Sequence, residues 1–228
     1  GRIPRPKQRG FYSMDFINTI VELLQDPRTA ISAWIAAGPL TAYGFIFLII
    51  FIETGVVFMP FLPGDSLLFA SGCFAADGSF NIFTLLAVAW CAAILGDQCN
   101  FMIGHFFGKK IIASGKVKVM TPERIEKSEA FLDKWGHLAI FLGRFFPFIR
   151  TFVPFLAGVG GMKWHSFVLF NVLGGITWST LFTLLGFFFG GIPFVQEHFE
   201  LLIVGIVAVS VVPTVVGLLK AKFGKKNA

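Results

Sequence analysis

Charged residues are scarce in this chain. Lys, Arg, Asp and Glu make up 14% of its 228 residues, against about 25% in soluble domains. With 55% hydrophobic residues and a mean hydropathy of +0.76, that shortage excludes an ordinary soluble globular domain. Cysteine is rarer still. Cys73, Cys91 and Cys99 are odd in number and lack CxxC spacing, which excludes a closed disulfide set and a zinc ribbon. They read as small apolar residues buried between helices. The four histidines are scattered without HExxH, so no metal or cofactor is expected. Gly160-Gly161 is followed by no P-loop lysine and reads as a hairpin exit rather than a phosphate loop.

What the chain has in abundance is Phe, 30 of them, and apolar stretches of about twenty residues. This predicts an all-α integral membrane protein, one membrane domain over residues 14–219, with the Phe-rich surface against lipid. The net charge of +6 is unevenly placed. Basic residues gather at Arg2–Arg9, Lys109–Lys134 and Lys220–Lys226, and none stands near Asp77 or in Gln196–Glu200. The positive-inside rule puts the three basic regions, including the C-terminus, in the cytoplasm. The basic tails need no nucleic-acid partner.

Residues 1–13, basic and rich in Pro and Gly, read as a disordered head upstream of Met14, the expected natural start. Residues 14–36 carry Asp15, Glu22, Asp26 and Arg28, too polar for a span, and suit an interfacial helix broken at Pro27. From Pro39 an apolar run reaches Met59, interrupted by Glu53, and Pro60-Phe-Leu-Pro-Gly-Asp65 follows. The next run, Ser66–Ala76, would rise about 16 Å as a helix, roughly half the hydrocarbon core. Residues 45–76 are therefore expected to enter the membrane, break at Pro60, Pro63 and Gly64, and return.

Residues 80–108 predict a full span. Its stripe of Ala93, Asp97, Asn100, Gly104 and Gly108 is small or polar and should face protein or water. Thr121-Pro122-Glu123 predicts the start of an amphipathic cytoplasmic helix over 121–135. Residues 137–162 are too few for two crossings, yet Lys134 and Lys163 make both flanks cytoplasmic, so they predict a second re-entrant hairpin. Residues 165–190 then cross outward, 192–200 turn outside, 201–219 return, and 220–228 form the basic tail.

The costliest residues lie in Phe141–Gly158, where Arg144 and Arg150 stand beside Pro147 and Pro154. Each charge at bilayer depth costs at least about 2.5–3.5 kcal/mol. Proline breaks the helix ladder, which is tolerated there only inside protein or along a wet cavity. Six residues apart on an unbroken helix, the arginines would diverge by about 120°. A break at Pro147 lets them converge, and Pro154 is expected as a further hairpin break. Arginine's planar fork suits phosphate, and broken helix ends add N–H donors. The first half contributes Glu53 and Asp65, which either pair with the arginines or carry protons. Asp97 is open between a packing acid and a proton relay. A purely structural alternative is that the buried charges only lock the hairpins together.

The two halves also resemble each other. Pro60-Phe61-Leu62-Pro63 aligns with Pro147-Phe148-Ile149-Arg150, and Ala70-Ser71-Gly72 with Leu156-Ala157-Gly158 after one gap. Ile103-Gly-His-Phe-Phe-Gly108 matches Leu185-Gly-Phe-Phe-Phe-Gly190 at an offset of 82, which maps the stripe onto Gly175, Ser179, Phe182, Gly186 and Gly190. One span lies between the copies, so the second should be inverted. The expected fold is an inverted repeat of re-entrant hairpin plus transmembrane helix, with the surface helix between. Repeat 1 covers about 45–108 and repeat 2 about 137–190, with the binding site where they meet.

On Glu53 with Pro60-Phe-Leu-Pro-Gly-Asp65, on Gly96-Asp97, and on Arg144-x-x-Pro147-x-x-Arg150 followed by Ala157-Gly158, residues 40–190 resemble the DedA family of bacterial inner-membrane proteins. That family is related to eukaryotic lipid scramblases of the VTT-domain group. Where it often has an aromatic hydroxyl after the Gly-Asp pair, this chain has Phe101. The resemblance implies facing re-entrant hairpins and lipid translocation, including undecaprenyl phosphate recycling. It also implies dependence on proton motive force and a requirement for Glu53, Asp65, Arg144 and Arg150.

The expectation is a lipid translocase and not an enzyme, with membrane lipids and protons as its partners. Arg144 and Arg150 bind the phosphate, while Glu53, Asp65 and Asp97 offset charge or move protons. A proton-coupled small-ion or drug transporter would instead bind a cation, against two arginines. An enzyme on lipid phosphates would want a nucleophile or general acid beside them, and His137 and His165 stand at the expected membrane edges. A scaffold would not need the buried charges.

Overall fold

The computed structural model describes residues 27–56, 64–114, 122–146, 149–190 and 192. Among these every element is an α-helix: α1 Pro27–Ala36, α2 Pro39–Gly55, α3 Gly64–Ala76, α4 Ile82–Ser114, α5 Pro122–Trp135, α6 Leu138–Gly143, α7 Ile149–Val159 and α8 Trp164–Phe189. Local chemistry sets several of the starts. Proline opens α2 after Gly38, where its missing N–H costs nothing. Asn81 caps α4, its Oδ1 accepting from the N–H groups of Phe83 (3.0 Å) and Thr84 (3.1 Å). Gly161, at φ 72°, supplies the left-handed residue that turns the chain from α7 towards α8.

Among the described residues two helices are long and apolar enough to cross a membrane, Ile82–Gly108 within α4 and Trp164–Phe189. At 26 to 27 residues each spans about 40 Å, beyond the roughly 30 Å hydrocarbon core. Their outer faces carry exposed Phe83, Phe106, Leu169 and Phe188, the surface that lipid contact requires. By contrast α3 and α7, at 13 and 11 residues, reach only about 16–20 Å.

The short helices pack across the halves: α3 lies on α8, and α7 on α4. Both contacts are made by glycines that let backbones touch. A Cβ on Gly104 would stand 2.1 Å from the Phe155 carbonyl oxygen, and one on Gly186 1.9 Å from that of Phe69. One on Gly108 would meet Val159, and one on Gly190 would meet Cys73. Gly158 lies against Phe101 and His105, and Gly72 against Thr183 and Phe187. Each long-helix residue named for the α4–α7 contact has its counterpart 82 positions on, in α8 or, for Gly108, at its C-cap Gly190. Each α3 residue has its counterpart 86 positions on in α7.

Three apolar clusters are buried among the described residues. One gathers Ile31 and Trp34 of α1, Ile46, Ile49 and Ile50 of α2, and Leu67 and Leu68 of α3. A second joins Phe101, Ala139, Ile140, Val153, Ala157 and Phe167, and a third Phe152, Phe155 and Leu156.

Pro27, the expected break, is the first residue of α1, and the residues before it lie outside the described ones. Several other expectations need correction. Pro154, expected at a break, lies inside α7, which continues to Val159. Its ring removes one ladder donor, the one that would reach the Arg150 carbonyl, without ending so short a helix. Cys91 and Cys99 are exposed on α4 rather than buried, and Cys73 is half-buried. Phe182 is only half-buried while Thr183 is buried. The stripe on α4 is buried throughout, at Ala93, Asp97, Asn100, Gly104 and Gly108. The expected breaks Pro60, Pro63 and Pro147 lie outside the described residues. So do the head, residues 14–26, the Thr121 cap, the final span and the tail.

Candidate functional site: a buried ion cluster

Close helix approach brings the charges together. Gly55 and Gly96 let α2 and α4 touch, for a Cβ on Gly55 would lie 3.2 Å from the Gly96 Cα. This fixes Glu53, one half-turn before the end of α2, in a fully buried position at 0% exposure. Gly64, the first residue of α3, leaves the space its carboxylate fills: a Cβ there would stand 1.7 Å from Glu53 Oε2. The expected break glycine is thus also part of the site wall.

Arg150, the second residue of α7, forks between two carboxylates from the other half. Its Nη2 donates to Glu53 Oε1 and its Nη1 to Asp65 Oδ1 at 2.7 Å. Asp65 is the second residue of α3, so the first turns of the two short helices meet through this pair. Arg144, directly after α6, makes a separate centre. Its Nη2 donates to Asp97 Oδ2, to Asn171 Oδ1 (2.6 Å) and to the Ala93 carbonyl (3.2 Å). Asn171 is itself fixed to the Ile94 carbonyl at 3.0 Å. Between the centres lies Trp178, whose ring centroid is 5.4 Å from the Arg150 guanidinium carbon and 6.0 Å from that of Arg144. Its indole N–H donates to Asp65 Oδ1 at 2.9 Å.

All five charged groups are buried. Three carboxylates face two guanidiniums, a formal excess of one negative charge when all are ionised. Asp97 and Trp178 each fall near the middle of a membrane-length helix, so the cluster sits at mid-depth of the two candidate spans.

The expected residues are therefore together, but in an unexpected pairing. Glu53 and Asp65 both serve Arg150, and Asp97 serves Arg144. Two participants, Asn171 and Trp178, are not among the residues singled out from the sequence, and a third, Asn100, is placed there only on the small or polar stripe of α4. Asn100 Nδ2 donates to the Thr54 carbonyl (3.1 Å) and the Thr151 carbonyl (2.8 Å), tying α2 to α7 next to Glu53 and Arg150. Replacing Asn100 by Leu removes both bonds and with them the polar tie between α2 and α7. The expected cost is about 1–3 kcal/mol, read as a lower unfolding midpoint in detergent.

Apolar spanning helices closed around a charged, mid-depth cluster define the class: an all-α integral membrane protein with a polar site within its helix bundle. The chain belongs to the DedA family. The VTT domain matches residues 62–188. The chain is 39% identical over 211 residues to the protein DedA of Escherichia coli (strain K12), covering 92% of this chain and 96% of that one. It is 39% identical over 186 residues to the uncharacterized membrane protein Rv0364 of Mycobacterium tuberculosis (strain ATCC 25618 / H37Rv), 80% of this chain and 81% of that one. With the inner membrane protein YghB of Escherichia coli (strain K12) it shares 30% identity over 181 residues, 79% and 83% of the two chains. No solved structure matches it significantly.

Proposed function

We propose that this protein moves a phosphate-headed lipid, undecaprenyl phosphate or a phospholipid, between the leaflets of a bacterial inner membrane. The movement is driven by protons and involves no covalent chemistry. The observation that carries the reading is the cluster itself: two guanidiniums at mid-depth, each held by carboxylates rather than by hydrophobic packing. Arginine's fork accepts a phosphate in the geometry it gives a carboxylate. A phosphate therefore competes with Glu53 and Asp65 for Arg150, and with Asp97 for Arg144.

The charge balance supports coupling to protons. With every acid ionised the cluster is net negative and repels phosphate. Two protons taken up by the carboxylates leave it net positive and free donors on the arginines. The reciprocal packing of α3 on α8 and α7 on α4 supports an inverted repeat. Here α3 and α7 are the return arms of two facing re-entrant hairpins, and their first turns form the site. The lipid tails remain in the bilayer beside them.

The excess carboxylate also favours a second reading, a proton-coupled transporter of a small cation or cationic drug. Leaflet exchange in proteoliposomes, with labelled undecaprenyl phosphate, labelled phospholipid and a labelled lipid of neutral head, separates the two. The lipid reading expects exchange of phosphate-headed lipids that rises with an imposed pH gradient and falls at least about tenfold in Glu53→Gln or Asp65→Asn. A rate indifferent to the gradient and to both variants would reject the proton role. Uptake of a cation without lipid exchange would favour the second reading.

A further inference from the structure

One face of α8 serves both arginines. Asn171, Gly174, Gly175 and Trp178 recur at intervals of three and four residues and so lie along a single helical stripe. Asn171 accepts from Arg144. The two glycines open the groove in which the Arg144 side chain runs, since a Cβ on Gly174 would come within 2.9 Å of Arg144 Cδ. Trp178 closes the stripe at 1% exposure, its indole touching three of the five charged groups. A buried indole needs a hydrogen-bond acceptor, and here that acceptor is a carboxylate of the ion cluster. The ring offers its negative face to guanidiniums, an attraction that strengthens when water is excluded.

We propose that Trp178 is the positioning residue of this cluster, its N–H holding Asp65 on Arg150 while its ring keeps both guanidiniums in place. The functional consequence, which rests on the translocase reading above, concerns the step at which the carboxylates release the arginines. Two like charges with their counter-ions withdrawn would drift apart or bind elsewhere. The indole is a partner that neither protonates nor leaves, so Arg144 and Arg150 stay converged to receive the headgroup.

The substitution that separates ring from donor is Trp178→Phe, with Trp178→Leu removing both. Phe keeps a smaller aromatic face beside the guanidiniums and loses the N–H together with the five-membered part of the ring. Exchange of labelled phospholipid by the reconstituted full chain should fall about tenfold in Trp178→Phe and further in Trp178→Leu. The dependence on lipid mole fraction should stay unchanged in Trp178→Phe. That combination marks a residue that orders the site rather than one that binds the lipid. Exchange at the wild-type rate in Trp178→Phe would overturn the proposal.

A second arm needs no transport. The emission of wild type minus that of Trp178→Phe isolates this indole, and Asp65→Asn should shift it, because the acceptor changes from a carboxylate to an amide. Where Trp178→Phe does not fold, Asp65→Asn is compared directly with wild type, and an unshifted emission maximum overturns the proposal. A chain that exchanges no lipid but shows the shift would defeat the translocase reading while leaving Trp178 as the organiser of the cluster.

Discussion

Arg150→Ala should abolish leaflet exchange, a loss of at least about a hundredfold, and destabilise the protein by about 3–5 kcal/mol. The size of the structural term follows from what is left behind. Glu53 at 0% exposure and Asp65 at 8% would face each other without their shared cation. Uncompensated buried carboxylates are far costlier than the pair was stabilising. Arg150→Lys should restore part of the stability and little of the transport, because one ammonium cannot fork between Glu53 Oε1 and Asp65 Oδ1 as the guanidinium does.

The decisive variant is the neutral triple, Glu53→Gln with Asp65→Asn and Arg150→Met. Removing all three charges at once leaves no member of the group as an uncompensated buried charge, and should recover much of the unfolding midpoint that Arg150→Ala loses. If the cluster were only a lock between helices, this stable variant would still move lipid. The expected result is a folded and inactive protein.

How much of this was legible in the sequence depended on the kind of signal. Helices α4, α5 and α8 followed from apolar length, capping residues and charge placement; α5 and α8 lie within one residue of their expected bounds, while α4 runs six residues past its expected end, to Ser114. The arginines and acids were legible because a charge in an apolar run needs a reason. Their pairing was not. Asp97 could be placed on a buried stripe, but nothing in one chain says which of two arginines, 47 or 53 residues away, folds onto it.

Trp178 was invisible for a different reason. Tryptophan in a membrane span most often marks the headgroup interface, and its role here depends on facing Asp65 from 113 residues away. Asn171 and Gly174-Gly175 carried a usable signal: with Trp178 they make a polar-and-small stripe on α8, two turns nearer its start than Gly186 and Gly190. Matching at an offset of 82 reached Gly175 but led on from it to Ser179 and Phe182 rather than to Asn171 and Trp178. Pro154 misled because a proline was taken as a break, whereas in the middle of this eleven-residue helix it removes one ladder bond and the helix continues to Val159.

The second large effect concerns the contacts between the short and long helices. Gly186→Ala and Gly104→Ala should each cost at least about 1–3 kcal/mol and depress exchange with it. The added Cβ would stand 1.9 Å from the Phe69 carbonyl oxygen in the first case and 2.1 Å from that of Phe155 in the second. Neither obstacle is a side chain that can swing away; both are backbone, so α3 must move off α8, or α7 off α4. Moving α3 carries Asp65 with it, and moving α7 carries Arg150, so each substitution also stretches the pair at the centre. Gly44→Ala supplies the control. It lies in α2 with no atom within 4 Å of the new methyl, and alanine is the better helix former by about 0.5–1 kcal/mol. Unfolding midpoints in detergent should therefore fall for Gly104→Ala and Gly186→Ala and hold or rise for Gly44→Ala. The two losses should be similar in size, because the two contacts match residue for residue. A large loss at one glycine and none at the other would mean that only one short helix is seated as described, and with it only one side of the Arg150–Asp65 pair.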